Sequence, residues 1–99
     1  MQTMTQNIKV GSPWRVSAVQ VKPNFCLEVK FLDGTQGIVD LSHRVHSANA
    51  GVFSSLADEA QFKQVHVSFG AVTWPNEIDL APDAMYDAIK ANGQWILTE

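Results

Sequence analysis

The chain has 99 residues, a hydrophobic fraction of 45% and a formal net charge of −3 at pH 7. This length fits one domain over residues 1–99, and the hydrophobic fraction excludes a disordered protein. The excess of acidic residues argues against unaided binding to nucleic-acid phosphates, which needs clustered Lys and Arg.

Cysteine usage and hydropathy predict a cytoplasmic protein. The single cysteine, Cys26, cannot form an internal disulfide, and this fits a reducing compartment. No apolar run reaches the roughly 20 residues that span a bilayer, so no membrane association is predicted. Residues 1–12 lack the apolar core of a signal peptide, and we expect them to form a flexible lead-in.

A β-hairpin over residues 25–41 is the best-defined element of the sequence. Its first seven residues alternate between apolar and polar side chains, as in a strand with one buried face. A three-residue loop that ends at a left-handed Gly34 would place Leu27 opposite Val39. A two-residue turn would instead shift the register by one and bury Asp40. We expect the three-residue loop, because it keeps the carboxylate out of the core.

Short elements are predicted on either side of this hairpin. A strand over residues 14–21 precedes it and forms an antiparallel meander with it. After the hairpin, Ser42 can cap a short helical turn, and the spacing of Asp58 and Gln61 is that of a capping box. Between them, three apolar residues are expected to cover the sheet: Val52, Phe53 and Leu56.

The last third of the chain predicts a second hairpin and a helix. Apolar and polar side chains alternate over residues 64–69, which indicates a strand. Gly70-Ala71 is expected to turn the chain, and residues 72–74 form the second strand of the hairpin. A helix over residues 82–91 is indicated by proline in its first turn and by Asn-Gly at its end. Residues 94–99 are apolar enough to pack on the sheet or to pair as an edge strand.

We therefore predict an α+β fold. It comprises an antiparallel sheet of about five strands, built from a meander and a second hairpin, with one C-terminal helix packed on it. The residues expected to share the buried face are Leu27, Val29, Phe31, Val39, Leu41, Val67, Met85 and Ile89.

Several segments resemble a known family. These are a Leu-x-Val-x-Phe strand, an Asp-Gly turn, Val39-Asp40-Leu41, Phe62, the segment from Trp74 to Asn76, and Asp-Leu-Ala-Pro-Asp before Tyr86. The order is similar to that of the bacterial domain-of-unknown-function family 2442 over roughly residues 14–86. The resemblance implies a small α+β domain. It also implies relatives fused to a C-terminal helix-turn-helix domain, and others encoded beside small partner proteins in the manner of toxin–antitoxin pairs.

Two features depart from that family. Many relatives have glycine after Trp-Pro-Asn, whereas this chain has Glu77 followed by Ile78. Some relatives carry a C-terminal helix-turn-helix domain, and we expect none in the 99 residues of this sequence. A DNA-reading role, as in the longer relatives, is therefore not expected for this chain.

Histidine and cysteine residues suggest an enzyme as one alternative function. His43 and His46 lie three residues apart, which on a helix places both rings on one face, and His66 or Asp40 could add a ligand. Cys26 beside a histidine could act as a nucleophile. Because neither pattern has a full ligand set or a recognisable orienting partner, we predict no metal, cofactor or catalytic residue. The aspartates at turns and helix starts are interpreted as structural.

Tryptophan distribution favours a function in protein binding. Trp and Tyr are enriched in interfaces, and Trp74-Pro75-Asn76 lies at a predicted strand end, so these residues are the predicted partner-binding site. The leading hypothesis is a non-enzymatic interaction or regulatory module that binds another protein, such as a neighbouring gene's product, and the family resemblance implies an antitoxin-like role as one form of it. Exposed sheet edges further predict a homodimer. Nucleic-acid binding, the second alternative, would require one basic face: Arg15, Lys22, Lys30, Arg44, Lys63 and Lys90.

Overall fold

A computed structural model describes residues 13–48 and 50–97. The predicted lead-in over residues 1–12 lies outside the described residues. The strands are β1 (Val16–Lys22), β2 (Cys26–Phe31), β3 (Gln36–Asp40), β4 (His66–Ser68), β5 (Ala71–Trp74), β6 (Ile78–Asp79) and β7 (Gln94–Ile96). The helices are α1 (Ser42–Val45), a 3₁₀ helix (Gly51–Ala57), α2 (Glu59–Phe62) and α3 (Pro82–Asn92). None of the described helices is long and apolar enough to cross a membrane.

The strands form two sheets, so the predicted α+β class is confirmed but the single antiparallel sheet is wrong. The first sheet has the order β1-β2-β3-β7, and the second has the order β4-β5-β6. β7 pairs with β3 in parallel, while the other strand pairs are antiparallel. Parallel neighbours need a long crossover, and the chain from β3 through α3 supplies it. β6 is a strand that the sequence patterns did not predict.

The central hairpin has the predicted register. Leu27 pairs with Val39, and the loop closes through a bond from the Phe31 N–H to the Thr35 carbonyl oxygen (2.8 Å). Gly34 has a φ of 91°, the left-handed conformation that the three-residue loop requires. Val39 is fully buried in consequence, and the strand presents one continuous apolar face to the core.

That apolar face packs against α3. Every residue of the predicted core is buried except Val67, which is half-buried at its margin. Gly37 on β3 allows the helix to approach, because a Cβ atom at this position would lie 2.5 Å from Cγ2 of Ile89. The helix runs from Pro82 to Asn92, and the next residue, Gly93, has a φ of 76°, the left-handed C-terminal stop that the sequence predicts.

Three local predictions need correction. Ser42 does not cap α1; instead, Asp40 accepts hydrogen bonds from both the N–H (2.9 Å) and the hydroxyl (2.7 Å) of Ser42. Asp58 caps α2 as predicted, but its own N–H bonds to the Ser55 carbonyl oxygen, so no capping box closes. Val52 is 66% exposed and does not cover the sheet, because the 3₁₀ helix turns it outward.

The turn between β5 and β6 contains two left-handed residues that are not glycine. Asn76 has a φ of 70° and Glu77 a φ of 64°. Asparagine tolerates this conformation, but a left-handed residue with an ordinary side chain costs about 1–2 kcal/mol. Glu77 thus holds a backbone conformation that glycine would adopt without strain, so the turn keeps its shape at the expense of local strain.

Replacing Glu77 with glycine should therefore stabilise the protein. We expect Glu77→Gly to raise the free energy of unfolding by about 0.5–1 kcal/mol, since the relieved strain exceeds glycine's extra entropy. Chemical denaturation measures this change. Glu77→Ala is the matched control because it removes the carboxylate and keeps the strain, so it should leave stability near wild type. Equal stabilisation by both variants would contradict the backbone explanation.

Candidate interaction surface

Three large apolar side chains are exposed near one end of the first sheet. Phe69 is 93% exposed, Leu32 is 49% exposed and Trp14 is 39% exposed. A buried position normally stabilises such side chains, and clustered exposure of apolar residues marks interaction sites more often than exposure of single residues does. Whether the three side chains belong to one surface depends on the hydrogen bonds between their backbone segments.

Hydrogen bonds between backbone groups bring the three segments together. The N–H of Val16 donates to the carbonyl oxygen of Gly70 (2.9 Å), which joins the start of β1 to the β4–β5 turn. The N–H of Leu32 donates to the carbonyl oxygen of Arg15 (2.9 Å), which joins the β2–β3 loop to the same place. We call the surface formed by Trp14, Arg15, Leu32 and Phe69 the Phe69 corner.

The backbone at Phe69 is unfavourable for a phenylalanine. Ser68 pairs with Ala71, so Phe69 and Gly70 alone form the turn, with φ values of 51° and 78°. A two-residue turn with both φ values positive prefers Asn-Gly, because asparagine and glycine tolerate the left-handed region and bulky residues do not. Neither burial nor turn geometry therefore accounts for phenylalanine at this position.

Arg15 lies directly against the same turn. A Cβ atom built on Gly70 would lie 2.8 Å from Cζ of Arg15, so the guanidinium group lies close to the backbone of this turn. The guanidinium group of Arg15 thus lies against Gly70, the residue that follows Phe69. Aromatic residues and arginine are the types that most often dominate the binding energy of protein interfaces.

The predicted anchor Trp74 is buried, so the expectation that it is exposed is wrong. Its side chain is 1% exposed, and its indole N–H donates to the carbonyl oxygen of Phe62 (2.9 Å). The ring also contacts that of Phe62, with centroids 5.8 Å apart. A buried tryptophan needs such an acceptor, and α2 supplies one. Pro75 and Asn76 are exposed on the adjoining turn and remain predicted contact residues.

Two of the three histidines proposed for the enzyme alternative lie against backbone carbonyl groups. Nδ1 of His46 lies 2.8 Å from the carbonyl oxygen of Ser42, and Nδ1 of His66 lies 3.1 Å from that of Gln64. Within residues 13–48 and 50–97, no group of three or more His, Cys, Asp and Glu residues could hold a metal ion. The described side chains thus do not bring His43, His46 and His66 into one site.

Cys26 has the wrong ionisation tendency for a nucleophile. It lies opposite Asp40 in the β2–β3 pair, and its thiol donates to the carbonyl oxygen of Asn24 (3.6 Å). Burial raises the pKa of the Cys26 thiol, and the charge and hydrogen bonding of Asp40 raise it further. An activated cysteine needs the opposite shift, so this environment disfavours the thiolate.

Cationic side chains contact several different parts of the fold. The contacts join Lys22 to Glu28 (3.4 Å), Arg44 to the ring of Phe53, Lys90 to the ring of Tyr86 and Arg15 to Gly70. Lys63 lines a cleft of about 300 Å³ that also contains Glu59, so the charges there are mixed. Lys22, Arg44 and Lys90, which the nucleic-acid alternative invokes, thus each contact an acidic or aromatic neighbour.

A family described as protein of unknown function, DUF2442, matches residues 16–91. The chain belongs to that family. The matched range runs from the start of β1 to the penultimate residue of α3, so the DUF2442 region includes the Phe69 turn and leaves Trp14 and β7 outside. No curated protein and no solved structure matches the chain.

The sequence patterns missed Phe69 because it continues an alternating run. Val65, Val67 and Phe69 have strand periodicity, and the turn was expected one residue later, at Gly70-Ala71. The pattern ends at Ser68 because two consecutive left-handed residues close the turn. A bulky residue directly before a turn glycine was the available signal, and periodicity alone does not detect it.

The Asp33 carboxylate links the central loop to α3 and provides a test of pH dependence. Tyr86 donates its hydroxyl to Asp33 (2.6 Å), and the N–H of Thr35 donates to the same side chain (2.9 Å). The Tyr86 hydrogen bond, followed by that of Thr35, lowers the pKa of Asp33 to about 2. A lowered pKa stabilises the fold above the ordinary Asp pKa near 4, and this contribution is lost as the pH falls towards 2.

Tyr86→Phe should therefore reduce stability in a pH-dependent way. The variant keeps the ring against Phe31 and removes the largest cause of the lowered pKa. Urea midpoints measured between pH 6 and pH 2 should show a difference from wild type that is largest above about pH 4 and shrinks towards pH 2. A difference that stays constant over this range would contradict the role of the Asp33 carboxylate.

Proposed function

We propose that this protein is a non-enzymatic interaction module that binds another protein through the Phe69 corner. The supporting observation is Phe69 itself, which is 93% exposed at a φ of 51°. Solvent exposure and the left-handed backbone both disfavour phenylalanine there, and no described core contact requires it. A partner that buries the ring accounts for the residue.

The corner's chemistry indicates what the partner must offer. Phe69 is exposed on a turn and suits an apolar pocket, and Trp14 and Leu32 are further exposed apolar side chains on the segments that the backbone hydrogen bonds bring together. Arg15, held against Gly70, suits a carboxylate at the edge of that pocket. The complementary surface is therefore an apolar pocket with an acidic rim.

The partner to test first is the product of a neighbouring gene. The family resemblance implies small partner proteins encoded beside some relatives, in the manner of toxin–antitoxin pairs. In that role the module would be the regulatory, antitoxin-like member, which acts by covering a surface of its partner. Such a role requires binding and no chemistry.

The test is the affinity of the purified partner for wild type and for Phe69→Asn. Asparagine removes the aromatic anchor and suits the turn, so this variant should fold with equal or higher thermal stability. We expect Kd to rise by at least about thirtyfold, the equivalent of losing a hot-spot residue worth about 2 kcal/mol. Isothermal titration measures the affinity, and a thermal melt verifies the fold.

Val52→Asn is the matched control. Val52 is also an exposed apolar residue, but it lies on the 3₁₀ helix, away from the hydrogen bonds that build the corner. This variant should bind as wild type does. Unchanged binding by Phe69→Asn, or equal losses in both variants, would refute the corner. Tight, salt-dependent binding of DNA from the same locus in a gel-shift assay would refute the protein-partner proposal itself.

A further inference from the structure

β7 forms one edge of the first sheet. It pairs with β3 on one side, and within the described ranges 13–48 and 50–97 no strand pairs with its other side. The opposite edge, β1, is partly covered, because Val16 donates to Gly70 and the strand contacts the second sheet. The two edges of the sheet are therefore not equivalent.

The hydrogen bonds to β3 determine which backbone groups of β7 face outward. β3 donates to the carbonyl oxygen of Gly93 (3.3 Å) and accepts from the N–H of Leu97 (3.0 Å). Bonding groups alternate along a strand, so Gly93, Trp95 and Leu97 face β3. The N–H and C=O groups of Gln94 and Ile96 then point away from the sheet, available to another strand.

This edge lacks the features that normally prevent pairing. Residues 94–97 contain no charge and no proline, and Ile96 is 50% exposed. An open groove of about 450 Å³ runs beside the strand and is lined by Trp95 and by Ala88 and Asn92 of α3. Natural sheets usually protect an edge with lysine, proline or a bulge, none of which occurs in this segment.

We infer that β7 is the dimerisation edge of this protein, and that it pairs antiparallel with β7 of a second copy. A two-fold axis at Trp95 sets Gln94 of one copy opposite Ile96 of the second copy, and Ile96 of the first copy opposite Gln94 of the second. Because both residues have outward-facing groups, each of these two pairs exchanges two hydrogen bonds, four in all. An axis at Gln94 would instead set Ile96 opposite Asn92, which lies in α3, and would leave the outward groups of Ile96 unmatched.

The side chains near this axis can lie next to the identical side chains of the second copy. A two-fold axis brings identical groups together, which is costly for charges, and residues 94–97 carry none. Trp95 of each copy becomes a directly opposed, non-hydrogen-bonded pair, the position where cross-strand side chains approach most closely. The groove beside Ala88 leaves space for the second indole. The dimer edge and the Phe69 corner are separate surfaces.

A proline substitution isolates the proposed backbone contacts. Ile96→Pro removes an outward N–H and leaves the bonds from β3 to Gly93 and Leu97 in place, so the monomer should still fold. Sedimentation velocity on the full chain across micromolar concentrations should show a monomer–dimer equilibrium for wild type. We expect the proline variant to raise the dimer Kd at least tenfold, while Ile96→Val, which keeps the N–H, should stay within threefold.

Disulfide trapping tests the register. In a Cys26→Ser background, one chain carries Gln94→Cys and another carries Ile96→Cys; both positions are exposed, so both chains should fold. Directly opposed residues lie within disulfide range, whereas diagonal neighbours are about 7–8 Å apart and at or beyond its limit. The mixture should cross-link under mild oxidation far more than either chain alone.

Three results would overturn this inference. They are a monomer at all concentrations, a dimer unaffected by Ile96→Pro in a variant that melts as wild type does, and cross-linking that is no greater in the mixture. Phe69→Asn should leave the dimer intact. Failure of dimerisation is thus distinguishable from failure of the proposed partner-binding corner.

Discussion

The left-handed loop residue Gly34 sets the register on which the rest of the fold depends. With that loop, Leu27 and Val39 share the buried face of the central hairpin. A one-residue slip would turn that whole face outward, and α3 would lose the surface on which it packs. The same register places Gly37 beneath Ile89, which lets the helix lie close to β3. The chain therefore leaves α3 beside β3, where β7 adds in parallel.

The sequence predicts those parts of the fold that are determined locally. The loop at Gly34 and the helix from Pro82 each have a residue with a strong conformational preference at the decisive position. The sequence does not predict the direction of β7 from local preferences, because its parallel pairing with β3 depends on where the crossover through α3 ends. Trp74 was misjudged for a similar reason: its N–H acceptor is the carbonyl oxygen of Phe62, twelve residues away, and no local pattern reveals that bond.

The residues most relevant to function are those that the fold does not require. Asp40 bonds to Ser42 and so has a local structural role, although an aspartate beside a cysteine can suggest catalysis. Phe69, in contrast, has a backbone that disfavours it and a side chain that is left in water. Such a departure from local preference is the physical basis for assigning binding to this corner. The matching family is described as being of unknown function, so the assignment rests on the chemistry of the side chains.

The three tryptophans allow one measurement to test the central claim that the partner binds at the Phe69 corner. Each indole N–H gives a separate signal in a ¹H–¹⁵N NMR spectrum, and each reports a different place: Trp14 the corner, Trp74 the core and Trp95 the β7 edge. Titration with the neighbouring gene product, at constant protein concentration, should shift or broaden the Trp14 signal and leave Trp74, bonded to Phe62, unchanged. A response confined to Trp95, or no response at Trp14 when binding is complete, would contradict the account.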